Sequence, residues 1–397
     1  MTSKFFAPAL LSLIATAALV ACGGGGSGGG TAAAPTADAA ATTASAATAS
    51  SIGALLIAGA SQDEEVYNMA ADIGDSWQLV LNNKTNQYVI KMLATSLYSL
   101  SDTSPAAFTK TTVGTVTTVK DASGTALSVQ IDSRTKSVAG NVKVGGKTAT
   151  VSGSGYKLGD ASKLAGNYFY AGSVRNVSNG QFRDTPLGGF IIAANGIDIT
   201  VCDGSIAVGS ACVPVTNSSP PIKTKLLKIS KDAAGLLHIM DGQKDFGIVH
   251  VSAGDRGPVL IIDRFGDNDD IPAIKRTGVF YAAKSAKLAG TEFDGNWTCG
   301  SIGADRATLV VSGTSYTVTS KNGSNQGTLQ YNKVYAGANK SVVDLNGVLI
   351  AKNNTELLTD ASLVLPLSSS LVVVVDSPAS DSTQMGTDKN INVCRKV

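Results

Sequence analysis

The chain has 397 residues, 43% of them hydrophobic and 16% charged, with a formal net charge of +2. This balance suits a folded protein of two or three domains with a modestly charged surface. No basic patch stands out, so the chain lacks the electrostatic footprint of a nucleic-acid binder. Glycine is abundant (43) and proline sparse (11). With much Thr, Ser and Val, this favours strands joined by tight turns.

The chain opens with one charge, Lys4, and then an apolar or small run from Phe5 to Ala21. Such a segment fits an export signal and falls short of the roughly 20 apolar residues of a spanning helix. It ends Leu19-Val20-Ala21-Cys22, which resembles the lipobox of bacterial lipoproteins. The resemblance implies a signal peptide over 1–21, cleavage before Cys22, a diacylglycerol thioether on Cys22, and further acylation (palmitate) of its new amino group. In Gram-negative lipoproteins an Asp after the cysteine favours inner-membrane retention. Gly23 by the same resemblance favours the outer membrane, so the expected location is the cell envelope, lipid-anchored. Residues 23–50 are Gly, Ala, Thr and Ser with one Pro and one Asp. They bury too little apolar surface to offset ordering entropy, so 22–62 is expected to be a flexible tether.

Past Asp63 no long segment has helical periodicity, and short strands follow one another. WQLVL (77–81) and QYVIKML (87–93) flank NNKTN; VTTV (116–119), LSVQI (127–131), NVKV (141–144) and TATVS (148–152) come next. Asn195-Gly196 and Asn346-Gly347 sit between apolar runs, a strong two-residue hairpin signature. LLHIM, GIVHV, PVLIID and SLVVVVD read as buried strands. Short strands at this spacing predict an all-β fold of tandem antiparallel barrels or sandwiches.

The chain also repeats. YKLGDASKLAGNYF (156–169) aligns with FYAAKSAKLAGTEF (280–293), and GFIIAANGIDITVC (189–202) with TLVVSGTSYTVT (308–319). A fainter echo pairs VKDASGTAL (119–127) with SKDAAGLLH (230–238). A period of domain size predicts duplicated domains, with β-units over 63–162, 163–286 and 287–397, the KLAG segments opening the second and third. The segment GVFYAAKSAKLAGTEF (278–293) resembles one in the β-barrel lobes of transferrin-binding-protein-like surface lipoproteins, although Ala282 replaces the second glycine of that motif. The resemblance implies barrel architecture and no particular ligand.

With Cys22 lipidated, four cysteines remain: Cys202, Cys212, Cys299 and Cys394. An even number in an exported chain predicts two disulfides. Of three connectivities, Cys202–Cys212 and Cys299–Cys394 are favoured. Zinc is disfavoured, with two histidines and no CxxC pair.

Catalytic motifs are weak. GGSGG (25–29) matches GxSxG but lies in the tether, where no nucleophile elbow forms. GNVKVGGKT (140–148) comes within one residue of the phosphate-binding loop pattern but reads as a hairpin. His238 and His250 lie in neighbouring strands and, facing one side, would form a dyad with Asp245 or Asp255; the simpler reading is two hydrogen-bonded strand histidines. In DRFGDNDD, Asp263, Asp267, Asp269 and Asp270 are a weak calcium candidate, against a solvated loop. Trp77, Trp297, Tyr168, Phe169, Tyr170, Phe280 and Tyr281 line a pocket or, more simply, form core. The expected function is non-catalytic: an envelope lipoprotein with a binding or structural role, held to the membrane by its lipid, with a protein or small-molecule partner and no cofactor. A lipocalin-like carrier would instead need a dry cavity of several hundred Å³, a typical pocket size. An exported hydrolase would need a titratable cluster around His238 or His250 converging in a cleft.

Overall fold

The computed structural model describes residues 53–95, 98–176, 182–184, 186–203, 205–208, 211–214, 223–264, 276–300, 307–320, 323–332, 334–336, 342–344, 346–353, 362–375 and 391–397. Among them the regular elements are strands, apart from one 3-10 turn at Ala161–Leu164. The strands form three closed eight-stranded antiparallel barrels in tandem, with small two-stranded accessory sheets. The first barrel runs from Glu64–Ala71 to Lys147–Ser154, which pair to close it. The second runs from Gly166–Asn176 to Arg276–Lys284, closed by pairing from Tyr168↔Lys284 to Asn176↔Arg276. The third runs from Gly295–Gly300 to Ile391–Lys396. Closure leaves no barrel edge free to pair with another chain.

Alternating side chains fill these barrels. In the strand Asp75–Asn82, Trp77, Leu79 and Leu81 point inward and meet Tyr67, Met69 and Ile90, all buried. Eight strands leave an interior about wide enough for such side chains. Where barrels touch, a strand is apolar on both faces. Arg276–Lys284 directs Phe280 and Ala282 into its own lumen. Its Val279, Tyr281 and Ala283 pack outward with Ala70 and Ala139 of the first barrel and Leu365, Leu367 and Val373 of the third. This one shared cluster joins the three barrels, which lie in one compact unit. A polar knot borders it: Arg134 pairs with Asp255, which also accepts from the Ser369 backbone, while Ser370 donates to Asp132.

Both favoured disulfides are present. Cys299 and Cys394 face each other on the first and last strands of the third barrel, stapling its closure. Cys202–Cys212 ties the third strand of the second barrel to the accessory hairpin Ser205–Val208/Ala211–Pro214. Residues 140–148 form the hairpin between Ser137–Val144 and Lys147–Ser154. The Asn195-Gly196 turn joins Leu187–Ile192 to Asp198–Asp203.

Three sequence expectations need correction. The tether expected over 22–62 ends early: Ala54–Leu56 is a strand paired with Tyr156–Leu158, because its backbone finds partners on that segment. Asn346-Gly347 makes no two-residue hairpin. Val342–Asp344 before it pairs with Val334–Ala336, and Leu349–Asn353 after it pairs with Gly323–Tyr331, so tertiary pairing overrides the local turn. The KLAG alignment is also out of register. Gly166 opens the second barrel, but the counterpart that opens the third is Gly295 and not Gly290. The equivalent stretches are Gly166-Asn167-Tyr168 and Gly295-Asn296-Trp297. Tyr168 pairs with Lys284 as Trp297 pairs with Lys396. The Tyr168 hydroxyl donates to Leu164 O (2.7 Å) as Trp297 Nε1 donates to Phe293 O (2.9 Å). The second aligned pair does hold: 189–202 and 308–319 are the second and third strands of their barrels. The 119–127/230–238 echo is turn chemistry alone, an Asp carboxylate accepting backbone N–H groups of its own hairpin.

Candidate functional site

The lumen of the second barrel is not completely filled. Its floor is the Tyr168 ring stacked on Phe190, centroids 4.9 Å apart at 11°, over the buried Leu164 of the 3-10 turn, which Asp160 caps. Above the floor lies a cavity of about 120 Å³ walled by apolar side chains, including Ile199, Leu227, Ile239 and Leu260. Tyr170, Phe246 and Phe280 form an aromatic wall, with Phe280 6.1 Å from Tyr170 and 6.2 Å from Phe246.

The opposite end of this lumen is cationic. Strand alternation places Lys225 on the face of Leu227 and Ile229, Arg264 on that of Leu260 and Ile262, and Arg276 on that of Phe280. Lys225 lines the cavity, is 40% exposed, and holds Asp241 at 2.7 Å. The Arg264 guanidinium lies 4.9 Å over the Phe246 ring and 5.9 Å over Phe280. Arg276 Nε is buried and meets no acceptor among the described residues. The third barrel holds a larger cavity of about 290 Å³, but Ser362 and Asn392 line it beside Leu309, Leu329 and Val364.

The titratable groups singled out in the sequence go elsewhere. His238 and His250 do share the outer face of the second barrel, yet they do not meet. His238 Nδ1 contacts Asp245 (2.7 Å) and its Nε2 Asp232 (3.4 Å) at the surface. His250 is sealed between the first and second barrels, where its Nε2 lies 3.1 Å from Ser76 Oγ. Ser76 Oγ donates to Asp263 Oδ2 at 2.8 Å. With the Ser76 hydroxyl proton directed at Asp263, the serine oxygen accepts from His250 Nε2–H, and burial keeps the imidazole neutral. Burial holds His250 down to about 3 and pushes the Asp263 carboxyl well up. Nearby Asp72 is raised by burial to about 7, against the opposing pull of Arg175.

These three residue types are those of a hydrolase triad, but the geometry is different. In such a triad the acid orients the far nitrogen of the histidine; here acid and imidazole both contact the serine oxygen, which has no exposure. Asp255 serves the inter-barrel knot and not His250. Asp263 is buried in the interface, where it accepts from Ser76. Asp267, Asp269 and Asp270 lie outside the described residues, as does Cys22. No described cluster of three or more His, Cys, Asp or Glu is placed to hold a metal.

Of the aromatics, Trp77, Trp297, Tyr168 and Phe169 are core, and Tyr170 and Phe280 line the cavity. Tyr281 faces the first barrel and meets Ser152 Oγ at 2.9 Å. Sequence reading missed Lys225, Arg264, Arg276 and Ser76. A trace of the first was available: KTKLLKISK puts Lys225 in phase with Leu227 and Ile229, a cation on an apolar face. Nothing local marks Ser76, whose partners are 174 and 187 residues away.

No protein-family model matches the chain, and no curated protein matches it. Among solved structures it aligns with a mutant of the vaccine antigen transferrin binding protein B from Haemophilus parasuis Hp5. The identity is 9%, over 86% of this chain and 76% of that one, with a TM-score of 0.19. It aligns with the DnaN sliding clamp, DNA polymerase III subunit beta, from Pseudomonas aeruginosa at 11% identity. That match covers 91% of this chain and 97% of the other, with a TM-score of 0.12. Neither score reaches that of a shared fold, so both likenesses carry no weight for fold or function.

Proposed function

We propose that this chain is a lipid-anchored envelope protein that binds a partner without catalysing a reaction. Cys22 carries the acyl chains, the Gly/Ala/Ser/Thr segment spaces the body from the membrane, and the barrels present a binding surface. The observation that supports this most is the shared apolar cluster fusing three closed barrels into one body. Such a body holds its connecting loops in fixed relation, and binding residues concentrate on loops carried by a rigid scaffold. The states of the two histidines support the absence of catalysis: one is buried between two barrels and the other is occupied by surface carboxylates.

Anchoring and display are tested together. Cells expressing the chain with radiolabelled palmitate should label it, and Cys22→Ser should abolish the label and release the protein from the membrane fraction. Protease on intact cells should degrade the wild type if the body is displayed outward. Undiminished membrane retention of Cys22→Ser would refute the anchor. Protection until lysis would place the binding surface on the periplasmic side.

A further inference from the structure

The cavity in the second barrel has two parts of opposite character on one path. Its walls are apolar and aromatic. Lys225 lines the cavity and holds Asp241, Arg264 lies over its Phe246 and Phe280 rings, and strand alternation puts Arg276 on the lumen side at the same end. A cation facing the lumen of a barrel is unfavourable unless something compensates its lost hydration. Lys225 has Asp241, and Arg264 has two aromatic faces. The buried Nε of Arg276 has no acceptor among the described residues. This donor adds to a positive mouth over an apolar hole. The hole is also of useful size. At about 120 Å³ it is close to the roughly 150 Å³ engineered cavity that stays dry and admits benzene. It is well below the several hundred Å³ of a pocket for a drug-sized molecule. One ring or a short acyl segment fits; a long lipid does not.

We propose that the second barrel binds a small apolar acid, with its ring or short chain in the cavity and its carboxylate against Arg264, Arg276 and Lys225. The apolar part supplies affinity through burial among Phe246, Phe280 and Leu260. The carboxylate takes the Arg276 Nε donor, which meets no acceptor among the described residues, and shares Lys225 with Asp241, because Arg presents a planar fork suited to carboxylates. The site requires neither the lipid anchor nor a macromolecular partner, so it stands or falls independently of the function proposed above.

The test uses the full-length chain, phenylacetate, and its uncharged isostere phenylacetamide. Calorimetric titration should show saturable binding of phenylacetate, with the amide weaker by about tenfold or more. Arg276→Gln and Arg264→Gln should erode that preference, weakening the acid by roughly fivefold to twentyfold and leaving the amide nearly unchanged. Val201→Phe, which fills the cavity from the wall, should abolish binding of both while the melting curve stays cooperative. If Val201→Phe does not fold, the two arginine variants decide alone. No binding of either probe to the folded wild type overturns the proposal. Equal affinity for acid and amide overturns the role of the cationic mouth. Unchanged binding to folded Val201→Phe overturns the placement of the site.

Discussion

Ser76, His250 and Asp263 form a buried cluster whose protons are decided by burial. His250 is held down to about 3, so between that value and the usual 6.5 the unfolded chain binds a proton that the native protein refuses. The stability tied to His250 is complete above about 6.5 and falls with acidification, by about 1.4 kcal/mol per pH unit. Asp72, raised to about 7, and Asp263, also raised by burial, work in the other direction. The native protein keeps protons that the unfolded chain releases above about 4, so their contribution is full below that and is lost as pH rises. Urea unfolding of wild type and His250→Gln separates the two effects. The advantage of wild type over the variant should shrink between about pH 7 and about pH 5, at the slope above. A pH-independent gap would show that His250 titrates normally. Asp263→Asn should be nearly neutral at low pH, because it keeps a polar group for Ser76. Asp263→Ala should cost about 1–3 kcal/mol, because it strands the serine hydroxyl.

At the scale of the element, the second and third barrels close with the same device. The first strand opens on a glycine at positive φ, +139° at Gly166 and +126° at Gly295. A lysine on the last strand lies across each. Lys284 Nζ donates to Lys163 O (3.3 Å), and Lys396 Nζ donates to Asp294 O (2.8 Å). A Cβ on Gly295 would meet Lys396 Cε at 2.6 Å, whereas one on Gly166 meets the Lys284 side chain at 3.6 Å. Gly295→Ala should therefore cost more than Gly166→Ala. Both carry backbone strain of about 1–3 kcal/mol, and only the first also displaces its lysine. Thermal melts of the two variants check the order, and Gly295→Ala with Lys396→Met should recover part of the difference. The Cys299–Cys394 bond closes a loop of sequence separation 95 across the same seam. Replacing both cysteines by Ser should cost about 4–5 kcal/mol on the chain-entropy account. The loss should appear as a lower denaturant midpoint for the third barrel, and a midpoint equal to that of wild type would contradict it.

For the whole molecule, the shared cluster predicts coupled unfolding. Ile261 has no exposure and sits in it beside Tyr281 and Leu365. Ile261→Asp places a charge among apolar groups from all three barrels, and a buried unpaired charge is severely unfavourable. Scanning calorimetry should show one dominant transition for the wild type and separated transitions for Ile261→Asp, as the barrels lose their common interface. A single transition in both would mean that the polar knot of Arg134, Asp255 and Ser369 holds the barrels together without the cluster.

Local information was enough for the strands, the all-β class, the duplication and the presence of two disulfides, while which cysteines pair was a preference among three connectivities. Alternation, turn residues and cysteine parity each act over a few residues or through simple exclusion, so no partner segment has to be known. The continuous apolar run VFYAA already carried the fact that Arg276–Lys284 is buried on both faces, though not what covers it. Tertiary structure decided what depends on distant neighbours. The register of the duplication moved from KLAG to Gly-Asn-aromatic, because strand pairing with Lys284 and Lys396 outweighs local similarity. Asn346-Gly347 lost its hairpin to the same cause. Asp263 left the acidic loop for Ser76, and His250 was sealed off from His238. The three lumen cations gathered at one mouth because the barrel brings residues 12 to 51 positions apart onto one rim, read from Lys225, Arg264 and Arg276. Alternation says only which way each side chain points; closure determines which of them share a space.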